Sequence, residues 1–179
     1  MNLSNLAVSL AVGLGVTAPV AINSALNPFF DLSSVNETPV PFPHTERDVQ
    51  CLARNIYFEA RGESIEGQEA VALVTLNRVM DENYPDTVCE VVHQAQRDRR
   101  GNPIRNRCQF SWYCDGLSDV VRDRESYNTS VEVAERALAN RIEDFTHGAV
   151  NYHADYVRPR WAANVTRTAA VGQHIFYRP

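Results

Sequence analysis

The chain has 179 residues, 44% of them hydrophobic and 22% charged, a balance that excludes a disordered or fibrous protein and suits one domain with an appendage. Its net charge of −5 gives no general reason to expect nucleic acid as a partner. All 17 basic residues are arginine, a side chain suited to two-point pairing with carboxylates.

The run at 6–22, LAVSLAVGLGVTAPVAI, carries no charge, and the first arginine of the chain is Arg47. The run is shorter than the ~20 residues of a membrane span, and Gly13, Gly15 and Pro19 weaken it as a helix. Residues 1–28 thus form an apolar segment with three readings: a secretory signal, a weak membrane anchor, or an arm that docks on a partner such as a virion. The signal is favoured, although a positive n-region and a clean small-x-small site are missing. Residues 29–44, with three prolines and little periodicity, read as a linker, and 45–179 as the folded domain.

Thr45 is a good N-cap with Asp48 three residues on. Val49, Leu52, Ala53, Ile56, Tyr57 and Ala60 then follow at the spacing of one buried helical face. Gly62 suits a left-handed turn that stops the helix. Ser64 can cap a second, mostly buried helix over roughly 65–81, and Thr87 with Glu90 marks a short third one through about Gln94. The segment 97–107, RDRRGNPIRNR, is polar, basic and turn-rich, and reads as a loop. CQFSWYCDG reads as a strand or tight segment, and Ser126 to Ile142 as another helix. The closing stretches AVNYHADYV, NVTRTAAV and QHIFYR are β-branched and aromatic, which predicts two or three strands. The fold class is α+β, helices first and a small C-terminal antiparallel sheet last.

Cys51, Cys89, Cys108 and Cys114 lack the Cys-x-x-Cys spacing of a structural zinc site. Spacing leaves both two disulfides and four buried thiols open. In an exported protein the expected pairs are Cys51–Cys89 and Cys108–Cys114.

Within NIYFEARGES (55–64), Glu59 lies on the margin of the apolar stripe, near the end of its helix. Partial desolvation and the negative end of the helix dipole would both raise its pKa, as a general acid near neutral pH requires. The bland alternative is a rim residue paired with Arg54 or Arg61. His93, His153 and His174 are spread over the chain without a His-Glu-x-x-His pair, so neither a metal site nor a cofactor is expected. Trp112, Tyr152 and Trp161 are suited to stacking on sugar faces, although any one of them is more often core. Strand alternation could turn His153 and His174 toward one cleft; the arginine loop reads as solvated, with the carboxylates of peptides as its alternative partner.

The block YFEARGES-x-x-GQ-x-A-x-x-x-x-NRV (Tyr57 to Val79) resembles the opening of the SleB/CwlJ-type cell wall hydrolases, known from spore-cortex lysis. G-x-H-x-F (Gly172, His174, Phe176) resembles that family's closing strand, with QFSW (Gln109 to Trp112) and Tyr152-His153 at its cleft segments. The resemblance implies a lysozyme-like, lytic-transglycosylase-like α+β fold. It implies peptidoglycan glycan strands as partner, cut at the β-1,4 bond between N-acetylmuramic acid (MurNAc) and N-acetylglucosamine (GlcNAc), with Glu59 as acid. Substrate-binding residues would then be Gln109, Ser111, Trp112, Tyr152, His153, Trp161 and His174. Glu63 is a possible second carboxylate, or else it caps the second helix or pairs with Arg61. The four cysteines, and the lack of the spore enzymes' peptidoglycan-binding repeat, point away from germination. They favour an exported enzyme of periplasm or wall, or a phage-encoded lysin or virion component. The alternatives from other classes are a non-catalytic wall-binding or virion module that keeps the fold, and a metal-dependent amidase.

Overall fold

The computed structural model describes residues 41–179; the apolar segment 1–28 and most of the expected linker lie outside the described residues. Helix α1 (Glu46–Ala60) opens on a complete capping box. The Asp48 N–H donates to Thr45 Oγ1, and Asp48 Oδ2 accepts the Thr45 N–H at 2.9 Å. Just before it, the Phe42 N–H donates to the Leu138 carbonyl at 2.7 Å and its ring packs on the helical core, so the last linker residues are fastened to the domain.

Helix α1 does not end on a left-handed glycine, as Gly62 is absent from the positive-φ residues. Arg61 stays right-handed, the Glu63 N–H reaches the Ala60 carbonyl at 2.9 Å, and Ser64 at once caps α2 (Ile65–Met80) by accepting the Gly67 N–H. A direct handover from one cap to the next makes the left-handed turn unnecessary.

Eleven of the sixteen α2 residues are buried. One side packs Leu73 and Leu76 into the core with Leu52 and Ile56 of α1 and Val133, Ala137 and Leu138 of α4 (Arg124–Leu138). Another side sets Ala70 and Val74 against Ala149 and Phe176. The short α3 (Val88–Val92), capped by Thr87, contributes Val88, Val91 and Val92 to the same core. Asn77 holds the segment after α4 in place: its amide donates to Asp144 Oδ2, Thr146 Oγ1 and the Ala149 carbonyl at 3.1–3.3 Å. Helix α4 starts two residues earlier than its sequence suggests, because Asp123 rather than a later residue accepts the Ser126 N–H as cap. It ends four residues before Ile142, where Asn140 takes φ 54°.

One segment differs from expectation, and of the two readings of CQFSWYCDG the tight segment holds. Residues 97–107 do not form a loop: β1 (Ala95–Arg97) pairs antiparallel with β2 (Pro103–Cys108). Asp98 builds the turn by accepting the N–H groups of Arg100 and Asn102, and Gly101 supplies φ 84°. Four of the six β2 residues are exposed, so no apolar alternation marks the hairpin in the sequence. CQFSWYC is not a strand, because Ser111–Cys114 is one 3-10 turn. The Cys108–Cys114 disulfide requires this, since six extended residues would separate the cysteines by ~20 Å, whereas their Cα atoms are 6.1 Å apart.

At the C-terminus β3 (Asn151–Ala154), β4 (Thr166–Val171) and β5 (His174–Arg178) form one antiparallel sheet in the order β3-β5-β4. Both expected disulfides are present, and Cys51–Cys89 ties α1 to α3 across 38 residues of chain. Loop-closure entropy scales with the enclosed length, so replacing Cys51 and Cys89 by Ala should cost about 4 kcal/mol, and replacing Cys108 and Cys114 about 2 kcal/mol. Urea unfolding of the two paired variants checks that order.

Candidate active site

Glu59 stands on the last turn of α1 and lines a cleft of about 410 Å³ with Arg78, Gln109, Ser111, Tyr152, Tyr156, Val157 and His174 among its walls. Neither Arg54 nor Arg61 pairs with it. Arg54 donates to the Asp119 carbonyl and lies over Phe58 and Trp112, and Arg61 lies over Tyr57. Instead the Tyr152 O–H donates to Glu59 Oε2 at 2.9 Å, and the Ser111 backbone N–H also points to the carboxyl.

Burial raises the Glu59 pKa above the ordinary carboxyl value; the Tyr152 hydrogen bond, the Arg78 charge and the Ser111 N–H oppose the rise without cancelling it. The same burial, with the Glu59 charge, pushes the Tyr152 phenol well above its usual range, so Tyr152 remains a donor. Desolvation favours the protonated carboxyl, and its anion has three stabilisers at hand. That pairing suits a group that must release a proton and take one back.

Arg78 is the site residue that sequence reasoning missed, although it stands in the NRV of the quoted block. It is 4% exposed, its Nε donates to the Val150 carbonyl at 2.7 Å, and its guanidinium lies over Phe110 and Tyr84. Nη1 is buried without a hydrogen-bond partner among the described residues, and burial lowers the Arg78 pKa. Arginines on helices are ordinarily solvated, and only the burial of α2 on several sides brings this one inside.

The structure sorts the other candidates. Gln109 and Ser111 are exposed at the cleft, Ser111 acting through its backbone. Trp112 is 6% exposed, donates Nε1–H to Asn55 Oδ1 at 2.9 Å and stacks on Phe58, so it is a core residue that seats the 3-10 turn, not an open stacking platform. Antiparallel register sets Ala154 opposite His174 and Tyr152 opposite Phe176, which places Tyr152 and His174 on one sheet face and His153 on the other. The two side chains therefore leave opposite faces of the sheet, although both residues border the cleft. His174 meets Tyr152 edge-on, half-buried, and burial lowers its pKa. His153 accepts from or donates to the Tyr177 hydroxyl at 3.0 Å and packs with Trp161 and Tyr177, so Trp161 belongs to that aromatic cluster. His93 lies elsewhere, against Tyr113.

Glu63 neither lines the cleft nor caps α2. Its Oε2 accepts the Gln173 N–H at 3.1 Å, and its side chain fills the space between Gly67 on α2 and Gly172 in the β4–β5 turn.

The Cell Wall Hydrolase family model matches residues 62–177. The chain belongs to the cell wall hydrolase family. The matched span includes Arg78, Tyr152 and His174 and opens just after Glu59, so the reading of Glu59 rests on its geometry. A spore cortex-lytic enzyme of Bacillus cereus is 31% identical over 142 residues, which cover 78% of this chain and 47% of that protein. One of Halalkalibacterium halodurans is 32% identical over 142 residues, 37% of its own length. The chain thus spans half or less of these relatives. The fold is that of two solved structures. The catalytic domain of Bacillus cereus SleB has a TM-score of 0.54 and 27% identity, covering 78% of this chain and 95% of that one. The catalytic domain of the germination-specific lytic transglycosylase SleB from Bacillus anthracis has a TM-score of 0.55 and 28% identity, covering 78% and 100%.

Two outcomes follow from the electrostatics. A carboxyl with a raised folded-state pKa binds more protons folded than unfolded, so it destabilises the fold increasingly as pH rises from the unfolded value through the folded one. Glu59→Gln should therefore unfold at higher urea than wild type at pH 7, with the gap narrowing below pH ~4. Removing the Arg78 charge removes one opponent of the rise, so Arg78→Gln should move the alkaline limb of the activity profile to higher pH, and Arg78→Lys should hold it in place. Circular dichroism confirms folding before the profiles are compared.

Proposed function

We propose that the chain degrades peptidoglycan as a lytic transglycosylase, cutting the MurNAc-GlcNAc β-1,4 bond with Glu59 as acid and then base. One observation carries the reading: Glu59 is the single carboxylate among the residues that line its cleft, and burial raises its pKa. Glu59 gives its proton to the glycosidic oxygen while the bond from muramic C1 to that oxygen breaks through an oxocarbenium-like state. The muramic C6 hydroxyl then attacks C1 and returns its proton to the Glu59 carboxylate, leaving a 1,6-anhydro ring. An intramolecular nucleophile needs no second carboxylate to position water, and ring closure within one bound sugar carries little entropic cost.

In this scheme Tyr152 and the Ser111 N–H orient the carboxyl, and Arg78 stabilises its anion between the two proton transfers. Gln109 and the exposed Tyr156 and Val157 supply the polar and apolar surface that a sugar chain needs. A second hollow of about 520 Å³ meets the first at Ser111 and is lined by Phe58, Trp112 and Leu117, so a strand can continue past Glu59 on that side. The two disulfides suit an oxidising compartment, as for an exported enzyme or a phage lysin.

Mass spectrometry of digested peptidoglycan, before and after borohydride, tests the chemistry. Anhydro ends are lighter by one water and resist reduction, and they should predominate. Glu59→Gln should lose ~10²–10⁴ in rate. If every new end is reducible, a carboxylate must position water, and Asp119 in the adjoining hollow is the variant to make next.

A further inference from the structure

The β1–β2 hairpin carries Arg97, Arg99, Arg100, Arg105 and Arg107 against a single acid, Asp98, in a protein of net charge −5. Its exposed faces show that these arginines do not serve the core. Nor are they neutralised by neighbours, because the ion pair found among the described residues is Arg136 with Glu69, on other elements. Asp98 is occupied by the backbone N–H groups of its own turn, and the nearby Glu90 accepts the Thr87 hydroxyl.

The hairpin borders a path that leads out of the cleft. Gln109 lines both the cleft of Glu59 and a hollow of about 340 Å³ beside Arg107. Gln94 and Ala95 join that hollow to a third, of about 740 Å³, walled by Arg47, Arg97, His93, Tyr113 and one acid, Glu90, whose carboxylate accepts the Thr87 hydroxyl. Gln94 Oε1 is buried there without a hydrogen-bond partner among the described residues. Burial lowers the His93 pKa, and Arg54, Arg47 and Arg97 add to the fall, so the charge of three arginines reaches this wall.

We propose that this arginine-lined groove binds the carboxylates of peptidoglycan stem peptides, extending substrate recognition from the scissile bond to the peptide beside it. The inference rests on the reading of the chain as a peptidoglycan-cleaving enzyme. The stem peptide is attached to the muramic residue, within a peptide's length of the bond that Glu59 attacks, and its carboxylates match the planar donors of arginine. The orphaned Gln94 carbonyl oxygen offers an acceptor for a peptide N–H. A continuous groove opening from the cleft suits this ligand better than a flat anionic surface, which would need no path to Gln109.

The test compares wild type with the variant carrying Arg47→Gln, Arg97→Gln and Arg107→Gln on two substrates, intact peptidoglycan and glycan strands stripped of peptide by an amidase. The triple variant should raise KM about 10-fold on intact peptidoglycan with kcat retained, and should match wild type on stripped strands. Equal loss on both substrates, or no change on either, overturns the proposal. If wild type cuts neither substrate, the enzymatic reading fails by itself, and the groove is then read by NMR titration with a soluble stem tetrapeptide. Shifts at Gln94, Arg97 and Arg107 that vanish in the triple variant uphold the groove, and their absence in wild type overturns it. Binding to anionic phospholipid vesicles that the triple variant loses, with no response to the tetrapeptide, overturns it in favour of a membrane surface.

Discussion

Helix α2 has little surface left for water, and most of the fold answers to that constraint. A helix enclosed by α1 and α4 on one side and by the sheet on another must find most partners for its polar groups within the protein. Asn55 of α1 donates to Thr75, Asn77 holds three acceptors of the segment after α4, and Arg78 caps the Val150 carbonyl just before β3. These bonds set where β3 begins, and β3 brings Tyr152 to Glu59. The position of the carboxyl's partner is thus decided two elements away from the carboxyl itself.

The cleft combines opposing influences on one group. Desolvation raises the Glu59 pKa, whereas a phenol, a backbone N–H and a buried guanidinium favour its anion. If desolvation acted alone, the proton would be held too tightly to leave; if the partners acted alone, there would be no proton to give near neutral pH. The partners come from α2, the 3-10 turn and β3, so the balance depends on the assembled core rather than on the helix that carries the acid.

The helical half of the fold was legible because its signals are local. The Thr45–Asp48 box, the Ser64 and Thr87 caps and the apolar stripe from Val49 to Ala60 each act within a few residues. The place of Glu59 on the margin of that stripe was legible on the same grounds. The β1–β2 hairpin was not, because strands exposed on both faces leave no alternation to read, and Asn106 even takes φ 56° within β2. Arg78 was hidden by its residue type, since its burial comes from long-range packing and not from sequence periodicity. The histidines were legible in part: both border the cleft, but their side chains leave opposite sheet faces, because a shared face across two strands needs a register that only the fold supplies.

The placement of Glu63 has a consequence for how such sequences can drift. A Cβ on Gly67 would press on the Glu63 Cβ at 2.8 Å, and one on Gly172 would collide with the Glu63 carboxylate. Gly172 also takes φ 54°, so its backbone and its surroundings both require glycine. Two neighbouring positions, Glu63 and Gly67, and a third more than a hundred residues on, Gly172, are therefore bound into one evolutionary unit. The acid can be exchanged for a smaller residue only if the turn finds another acceptor for the Gln173 N–H, and neither glycine can acquire a side chain while the acid remains.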